Sequence, residues 1–278
     1  MNKFKNKFLE KKIKDKNIKK GGLLTKGIFK KNRKNFPLIT IIMPNYKSPS
    51  LTKSINSVLR QTYKNIELIV VDGDSGFSTL KKLNELNNKI DLWISEKDKG
   101  MWDAWNKGFK LASGEFIGVV DSSNILYKNA IKILVRYVNR FKKIDFICGT
   151  VIKDKRKIGG YNPKIIYRNL NIIPSSVVGF YIRKSSLKRT GYLNLNYKIQ
   201  ADQELLYRMI VKHKFKGVHT KGNEIFGNLG NSGFSTKHNF LKILINEIKI
   251  RFNNKQNLFM IILMFFGRII KKIFKNLL

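Results

Sequence analysis

Leu38-Ile39-Thr40-Ile41-Ile42-Met43, closed by Pro44-Asn45-Tyr46, is the run that decides the fold. A strand buried on both faces of a parallel sheet reads as a near-continuous apolar stretch rather than as an alternation. Proline is expected to end its ladder because it has no N–H to donate. The same texture returns in IELIVV (66–71), IDLWIS (90–95), FIGVV (116–120) and DFICGTVI (145–152). Helical patterns lie between: Ile55, Val58 and Leu59; a stretch over 78–88; Met101, Ala104, Trp105 and Gly108; and Ala130, Ile131, Leu134, Val138 and Phe141. This alternation predicts an α/β fold, an open and mostly parallel central sheet flanked by helices. Ligands of such sheets bind outside the carboxyl ends of the strands, so the residues just after each strand are the candidates for chemistry.

The flanks differ in texture from this middle zone. Residues 1–36 hold fourteen Lys and Arg against Glu10 and Asp15, with Gly21-Gly22 between. They read as a basic tail or a surface-binding basic helix, and Pro37 marks where the domain begins. Residues 37–236 form that domain. Residues 237–278 contain nine apolar residues from Leu258 to Phe266, followed by GRIIKKIFKNLL. Nine is too few to cross a bilayer, and lysines beside bulky apolar residues predict an amphipathic helix lying in a membrane interface.

The whole chain of 278 residues carries 56 Lys and Arg against 18 Asp and Glu, a formal net charge of +38. Such a surface attracts anionic lipid, phosphorylated substrates or nucleic acid. The basic residues crowd into the flanks and no nucleic-acid motif is present, which counts against the last. The single cysteine, Cys148, sits in an apolar run and reads as a small core residue. The basic N-terminus lacks the apolar stretch of a secretory signal, so a cytoplasmic protein, peripheral on the inner face of the plasma membrane, is expected.

Four consecutive strand ends are polar. They are Pro44-Asn45-Tyr46, then Asp72-Gly73-Asp74-Ser75-Gly76, then Ser95-Glu96-Lys97-Asp98-Lys99-Gly100, and lastly Asp121-Ser122-Ser123-Asn124. Each alone is an ordinary turn; four together mark the rim of a site. In QADQELLYRM (200–209), Asp202 falls near a helix start, where the dipole favours the ionised carboxylate that a proton acceptor needs.

From Pro37 to Thr236 the chain resembles the family 2 glycosyltransferases with a GT-A (Rossmann-like) fold. The resemblance rests on PNY, VDGDSG, SEKDKGMWDAWNKG with GEFIG, YKIQADQELLYRM and GNSGFST. It implies that Pro44, Asn45 and Tyr46 border a nucleotide and that Asp72 accepts a hydrogen bond from the base, uracil being usual. Asp103 and Asn106 would face the donor from a helix starting at Gly100, whose free N–H groups and the neighbouring Lys99 suit phosphate oxygens. Asp121 would hold a divalent metal, Mn²⁺ or Mg²⁺, with Asn124 as a second oxygen ligand. The family has an acid-rich motif there, whereas this chain reads Asp-Ser-Ser-Asn. A metal-free variant would need Lys or Arg on the leaving diphosphate.

Asp202 would be the catalytic base of an inverting transfer from a nucleotide-diphosphate sugar to a glycan or lipid-linked acceptor in cell-surface polysaccharide synthesis, with Glu204 as understudy. His213 and His219 read as surface residues. The glycine-rich GNLGNSGFST (227–236) is expected to act as a flap. Two alternatives stand beside this reading: a catalytically weakened member acting as a scaffold, and a basic nucleic-acid-binding protein.

Overall fold

The computed structural model describes residues 6–175, 177–230 and 239–277. In chain order, helix α1 (Lys7–Lys14) and strand β1 (Lys19–Gly21) precede β2 (Ile39–Asn45), α2 (Leu51–Leu59), β3 (Ile66–Asp72), α3 (Phe77–Glu85), β4 (Leu92–Ser95) and α4 (Met101–Leu111). Next come β5 (Phe116–Val119), β6 (Ile125–Leu126), α5 (Ala130–Arg140), β7 (Phe146–Cys148), β8 (Thr150–Lys153) and β9 (Arg156–Ile158). The chain continues through β10 (Phe180–Arg183), α6 (Lys184–Thr190), α7 (Ala201–Tyr207), β11 (Gly217–His219) and β12 (Ile225–Asn228), and ends in α8 (Phe240–Asn253) and α9 (Leu258–Leu277).

Eight strands form the main sheet in the order β1-β4-β3-β2-β5-β10-β7-β11. The centre β4-β3-β2-β5 is parallel, while β1 and β10 run against their neighbours. The sheet is therefore mixed, with the expected parallel strands at its heart. Consecutive side chains of β2 go to opposite faces: Ile42 joins the core beneath α4 and α7, whereas Ile39, Ile41 and Met43 join the core beneath α2 and α5. The sheet is thus covered on both sides, as its unbroken apolar strands require.

Two readings of the chain change. The run 145–152 is two strands, not one: β7 stays in the main sheet, and β8 leaves it after Gly149 for a small sheet of order β6-β12-β8-β9. A Cβ at Gly149 would lie 2.2 Å from the Phe226 ring, so only glycine lets the chain turn there under that side chain. From Asn6 onward the basic N-terminal stretch is also no free tail. Leu9, Ile18 and Leu24 are buried, α1 packs on α4, and β1 pairs with β4 at Lys19–Ser95 through Gly21–Trp93. Three apolar residues among many lysines anchor it, and lysine stems cover apolar surface while their heads stay wet.

The α8–α9 hairpin is fixed by a buried ion network. Glu247 accepts from Arg251 at 2.7 Å and from Arg268 at 2.8 Å, and Arg251 also donates to the carbonyls of Ile166 and Tyr167 at 3.0 Å. Glu247 and Arg251 are both out of contact with solvent, so breaking one partner leaves the other charge stranded.

Gly118 of β5 lies directly opposite Tyr181 of β10, and a Cβ there would sit 2.3 Å from the tyrosine ring. Gly118→Ala is expected to lower stability by about 1–3 kcal/mol through overpacking, read as a lower urea midpoint with an unchanged slope.

Candidate functional site

The parallel strands end level with one another. Asn45, Asp72 and Ser95 are register partners across β2, β3 and β4, and the Asp72 carboxylate ties all three. Its Oδ1 accepts from Asn45 Nδ2 at 2.6 Å and from Ser75 Oγ at 2.5 Å; its Oδ2 accepts from Ser95 Oγ at 2.7 Å and from the Ser75 N–H at 3.0 Å. Asp72 is fully buried. With its acceptor capacity engaged, it braces the rim and does not present a free oxygen to a base.

The carboxylate that does reach the mouth beside Tyr46 is Asp98, which the sequence reading did not single out. A Cβ on Gly73 would lie 2.9 Å from Asp98 Oδ2 and 3.3 Å from Tyr46 Cδ2. Glycine therefore lets a carboxylate, an exposed aromatic face and the Asn45 carbonyl meet around one spot. Lys107 holds Asp98 from the other side and also pairs with Glu96 and Asp103, each at 3.3 Å. Burial pushes the Asp98 carboxyl up, partly offset by Lys107. Burial works against the Lys107 ammonium, yet Asp98, Glu96 and Asp103 together raise it. The signal was in the sequence, as an acid three residues after a strand end, but it lay inside a charged run.

Helix α4 opens at Gly100, whose φ of +110° disfavours other residues. Asp103 accepts from the Lys99 N–H at 3.1 Å, and Lys99 itself is exposed. Asn106 does not face the mouth freely. It is 6% exposed and its amide clasps the backbone of Leu193, donating at 2.9 Å and accepting at 3.0 Å. Trp102 donates to the Lys198 carbonyl at 3.1 Å. Helix α4 thus fastens the segment that leads into Asp202.

From the other side Asn246 of α8 donates to the Ile199 carbonyl at 2.7 Å and to Gln200 Oε1 at 3.1 Å. Gln200, in the left-handed region at φ +61°, then turns the chain into α7. Glu204 does not stand in reserve as a base: it is 3% exposed and ion-paired with Arg208 at 2.8 Å.

Asp121 and Asp202 come together. Asp121 follows β5 beside β2, where the Val120 N–H donates to the Ile42 carbonyl and the Ser122 N–H to that of Pro44. Burial, then the charge of Asp202, push the Asp121 carboxyl up to about 7. Its Oδ1 is sealed from solvent without a hydrogen-bond partner. Below Asp202 a narrow apolar slot runs between the sheet and α4, lined by Val119, Phe180, Trp105, Phe109 and Leu205.

An orphaned carboxylate oxygen on a group that feels the charge of a second carboxylate fits a hard cation, which prefers oxygen ligands and completes its shell with phosphate and water. Asn124 fits less well, because its Oδ1 already accepts from the Gly230 N–H at 2.8 Å. Neither histidine joins. His219 Nε2 accepts from the Gly160 N–H at 2.7 Å, and the His213 ring lies tilted against Phe215. Among the described residues no three His, Cys, Asp or Glu side chains form a metal-binding group. Most of the glycine-rich stretch expected as a flap, residues 231–236, lies outside the described residues.

A mixed sheet with helices on both faces fits the GT-A fold that the resemblance implies, and solved structures match it. The chain superposes on Staphylococcus aureus TarS 1-349 with a TM-score of 0.60 at 18% identity, covering 83% of this chain and 71% of that one. On the same protein in complex with UDP-GlcNAc the TM-score is 0.61 over 77% and 66%. On the mannosyltransferase PcManGT from Pyrobaculum calidifontis, in complex with GDP-Man and Mn²⁺, it is 0.53 at 16% identity over 77% and 61%.

The model of Glycosyl transferase family 2 matches residues 40–209, and the chain belongs to that family of enzymes. The Escherichia coli protein UDP-Glc:alpha-D-GlcNAc-diphosphoundecaprenol beta-1,3-glucosyltransferase WfgD is 36% identical over 139 residues, 48% of this chain and 54% of its own. The Streptococcus pneumoniae glycosyltransferase GlyG is 32% identical over 116 residues, 40% of this chain and 38% of its own. The chain spans about half the length of the first and less of the second.

The raised Asp121 carboxyl has a consequence for stability. The native state keeps a proton that the unfolded chain loses near pH 4, so this contribution to stability is present at low pH and is lost as pH rises to about 7. In metal-free protein Asp121→Asn should flatten that fall and be the more stable form at pH 8, by up to about 4 kcal/mol. Urea unfolding at pH 5 and pH 8 measures it.

Proposed function

We propose that the protein is an inverting transferase that moves a sugar from a uridine-diphosphate donor to a hydroxyl of a lipid-linked glycan at a membrane surface. The observation that carries this reading is the nearness of Asp121 and Asp202, whose charges interact beyond the end of β5, one oxygen of the first lacking a hydrogen-bond partner. Support for the donor and acceptor comes from the relative named for a UDP-glucose donor and a diphosphoundecaprenol acceptor, and from a fold neighbour in complex with UDP-GlcNAc.

In this reading Tyr46 offers the base an aromatic face and Asp98, beside it at Gly73, accepts from a base N–H. Pro44 and Asn45 close the strand side of the nucleotide, with Asp72 acting through Asn45. The first N–H groups of α4 at Gly100 and the Lys99 side chain meet the phosphates. Asp121 would hold a divalent cation, which when bound would supply positive charge to the departing diphosphate. Asp202 takes the proton from the acceptor hydroxyl while that oxygen bonds to the anomeric carbon from the face opposite the leaving group. The sugar–phosphate bond breaks with its electron pair going to the diphosphate. Asn246 and the left-handed Gln200 hold Asp202 in position.

General-base catalysis contributes about 10²–10⁴-fold. Asp202→Asn should therefore lower kcat by that factor while leaving UDP-sugar affinity within a few-fold, measured by turnover and calorimetry on the same preparation. Turnover near that of the parent would remove Asp202 from the role. It would also leave the scaffold reading unsupported, since an active chain is not a degenerate one.

The membrane part rests on α8 and α9. No helix among the described residues is long and apolar enough to cross a membrane. Yet Phe259, Leu263, Phe266, Ile270 and Phe274 of α9 are each more than half exposed, beside Lys272 and Lys275 in sequence. Greasy residues flanked by cations suit the headgroup boundary of an anionic bilayer. Phe259→Ser with Phe266→Ser should cut partition onto vesicles containing phosphatidylglycerol by about tenfold or more, read by co-sedimentation. Unchanged partition would move the contact elsewhere.

A further inference from the structure

At the edge of the sheet opposite the rim lies a bowl of about 320 Å³ lined by Asn6, Lys7, Phe8, Phe109, Lys110, Lys184, Leu187, Lys188 and Tyr192. Its place follows from register. Lys184 follows Arg183, which pairs with Phe116 at the start of β5, whereas Asp121 lies beyond the end of that strand. Helix α4 separates the two regions, with Gly100 at the rim and Lys110 at the bowl; eleven helical residues span roughly 16 Å.

The chemistry of the bowl is one-sided. Four lysines converge and no carboxylate lines it. Nearby acids are occupied elsewhere: Glu115 by Arg183 at 2.6 Å, Asp145 by Arg189 at 2.9 Å, and Glu67 by Thr40 at 2.6 Å. Among the described residues none of the four lysines has an ion-pair partner.

Lys110 sits in the last turn of α4, where it offsets the partial negative charge of that helix end. It also lies over the rings of Phe8 and Tyr192, each at 5.6 Å, which fixes its ammonium at the wall. Burial first, and then repulsion from Lys188, pull the Lys184 ammonium down. Lys184 is half-buried while Lys7, Lys110 and Lys188 reach solvent; like charges gathered around one concavity cost free energy that a bound anion would remove.

We infer that this bowl is a second anion site, taking a phosphate- or diphosphate-bearing group at a place distinct from the Asp121–Asp202 rim. A multivalent anion suits several separated ammonium groups, because lysine binds phosphate as a point charge without a fixed fork. The shared chemistry is phosphate; its source is either a lipid headgroup or a free polyanion.

The test is calorimetry with inorganic pyrophosphate in chelator, on the full chain. Three proteins are compared: the parent, Lys184→Gln with Lys188→Gln, and a control of equal charge loss, Lys81→Gln with Lys132→Gln. Saturable binding that weakens at least tenfold in the bowl variant and less than twofold in the control supports the site. Equal weakening in both variants would mean that only the overall charge attracts the probe, and an absence of saturation in the parent would mean there is no site; either overturns the proposal.

Sedimentation with phosphatidylcholine vesicles, with and without phosphatidic acid, separates the two sources. A bowl variant that loses the phosphatidic-acid increment assigns a lipid headgroup. One that keeps it while losing pyrophosphate assigns a free anion. Asp202→Asn should leave pyrophosphate binding at the parent value, so this result is readable whether or not Asp202 is the base.

Discussion

The Asp72 carboxylate, shut away from solvent and taking four hydrogen bonds, is the constraint on which the rim depends. A carboxyl group so placed is tolerable only because its oxygens are met by donors. Meeting them obliges Asn45, Ser75 and Ser95 to arrive at one point. Three strands are thereby held level at their carboxyl ends, and Gly73 is set where Asp98 and Tyr46 can approach. The opposite condition holds at Asp121, where one oxygen is buried with nothing to meet it. A single sheet edge thus carries one carboxylate that is satisfied and shapes the mouth, and another that keeps a buried oxygen without a hydrogen-bond partner.

Much of this was legible in the chain. The apolar runs placed β2, β3, β4 and β5, because strands buried on both faces need no alternation to be recognised. The polar strand ends located the rim for the same reason. The Asp121–Asp202 meeting was reachable only through family resemblance, since 80 residues lie between them and no local pattern encodes their nearness. The division of labour between Asp72 and Asp98 was not legible. One ends a strand beside a glycine and the other follows a strand among lysines, and which one is saturated depends on cross-strand register to Asn45 and Ser95. Asn106 misled for a related reason: its helix does border the mouth, but the side chain turns to the Leu193 backbone. At the N-terminus the density of lysine hid Leu9, Ile18 and Leu24, three apolar residues too widely spaced to announce a packed element.

The α8–α9 hairpin connects parts of the molecule that the sequence keeps apart. Its buried Glu247–Arg251–Arg268 network grips the loop at Ile166 and Tyr167, and Asn246 reaches the turn before Asp202. The same hairpin exposes the apolar side chains of α9. One rigid unit therefore touches both the greasy outer surface and the segment that sets the carboxylate facing Asp121.

Strand β1 has a practical meaning of its own. Without it the sheet would stop at β4, leaving the backbone donors and acceptors of Leu92 to Ser95 unpaired along one flank. A short, lysine-bearing strand is a common way of finishing such a border. Trimming the basic residues that precede Pro37, on the view that they are dispensable, would strip away that finish and leave a ready template on which a second molecule could dock strand to strand.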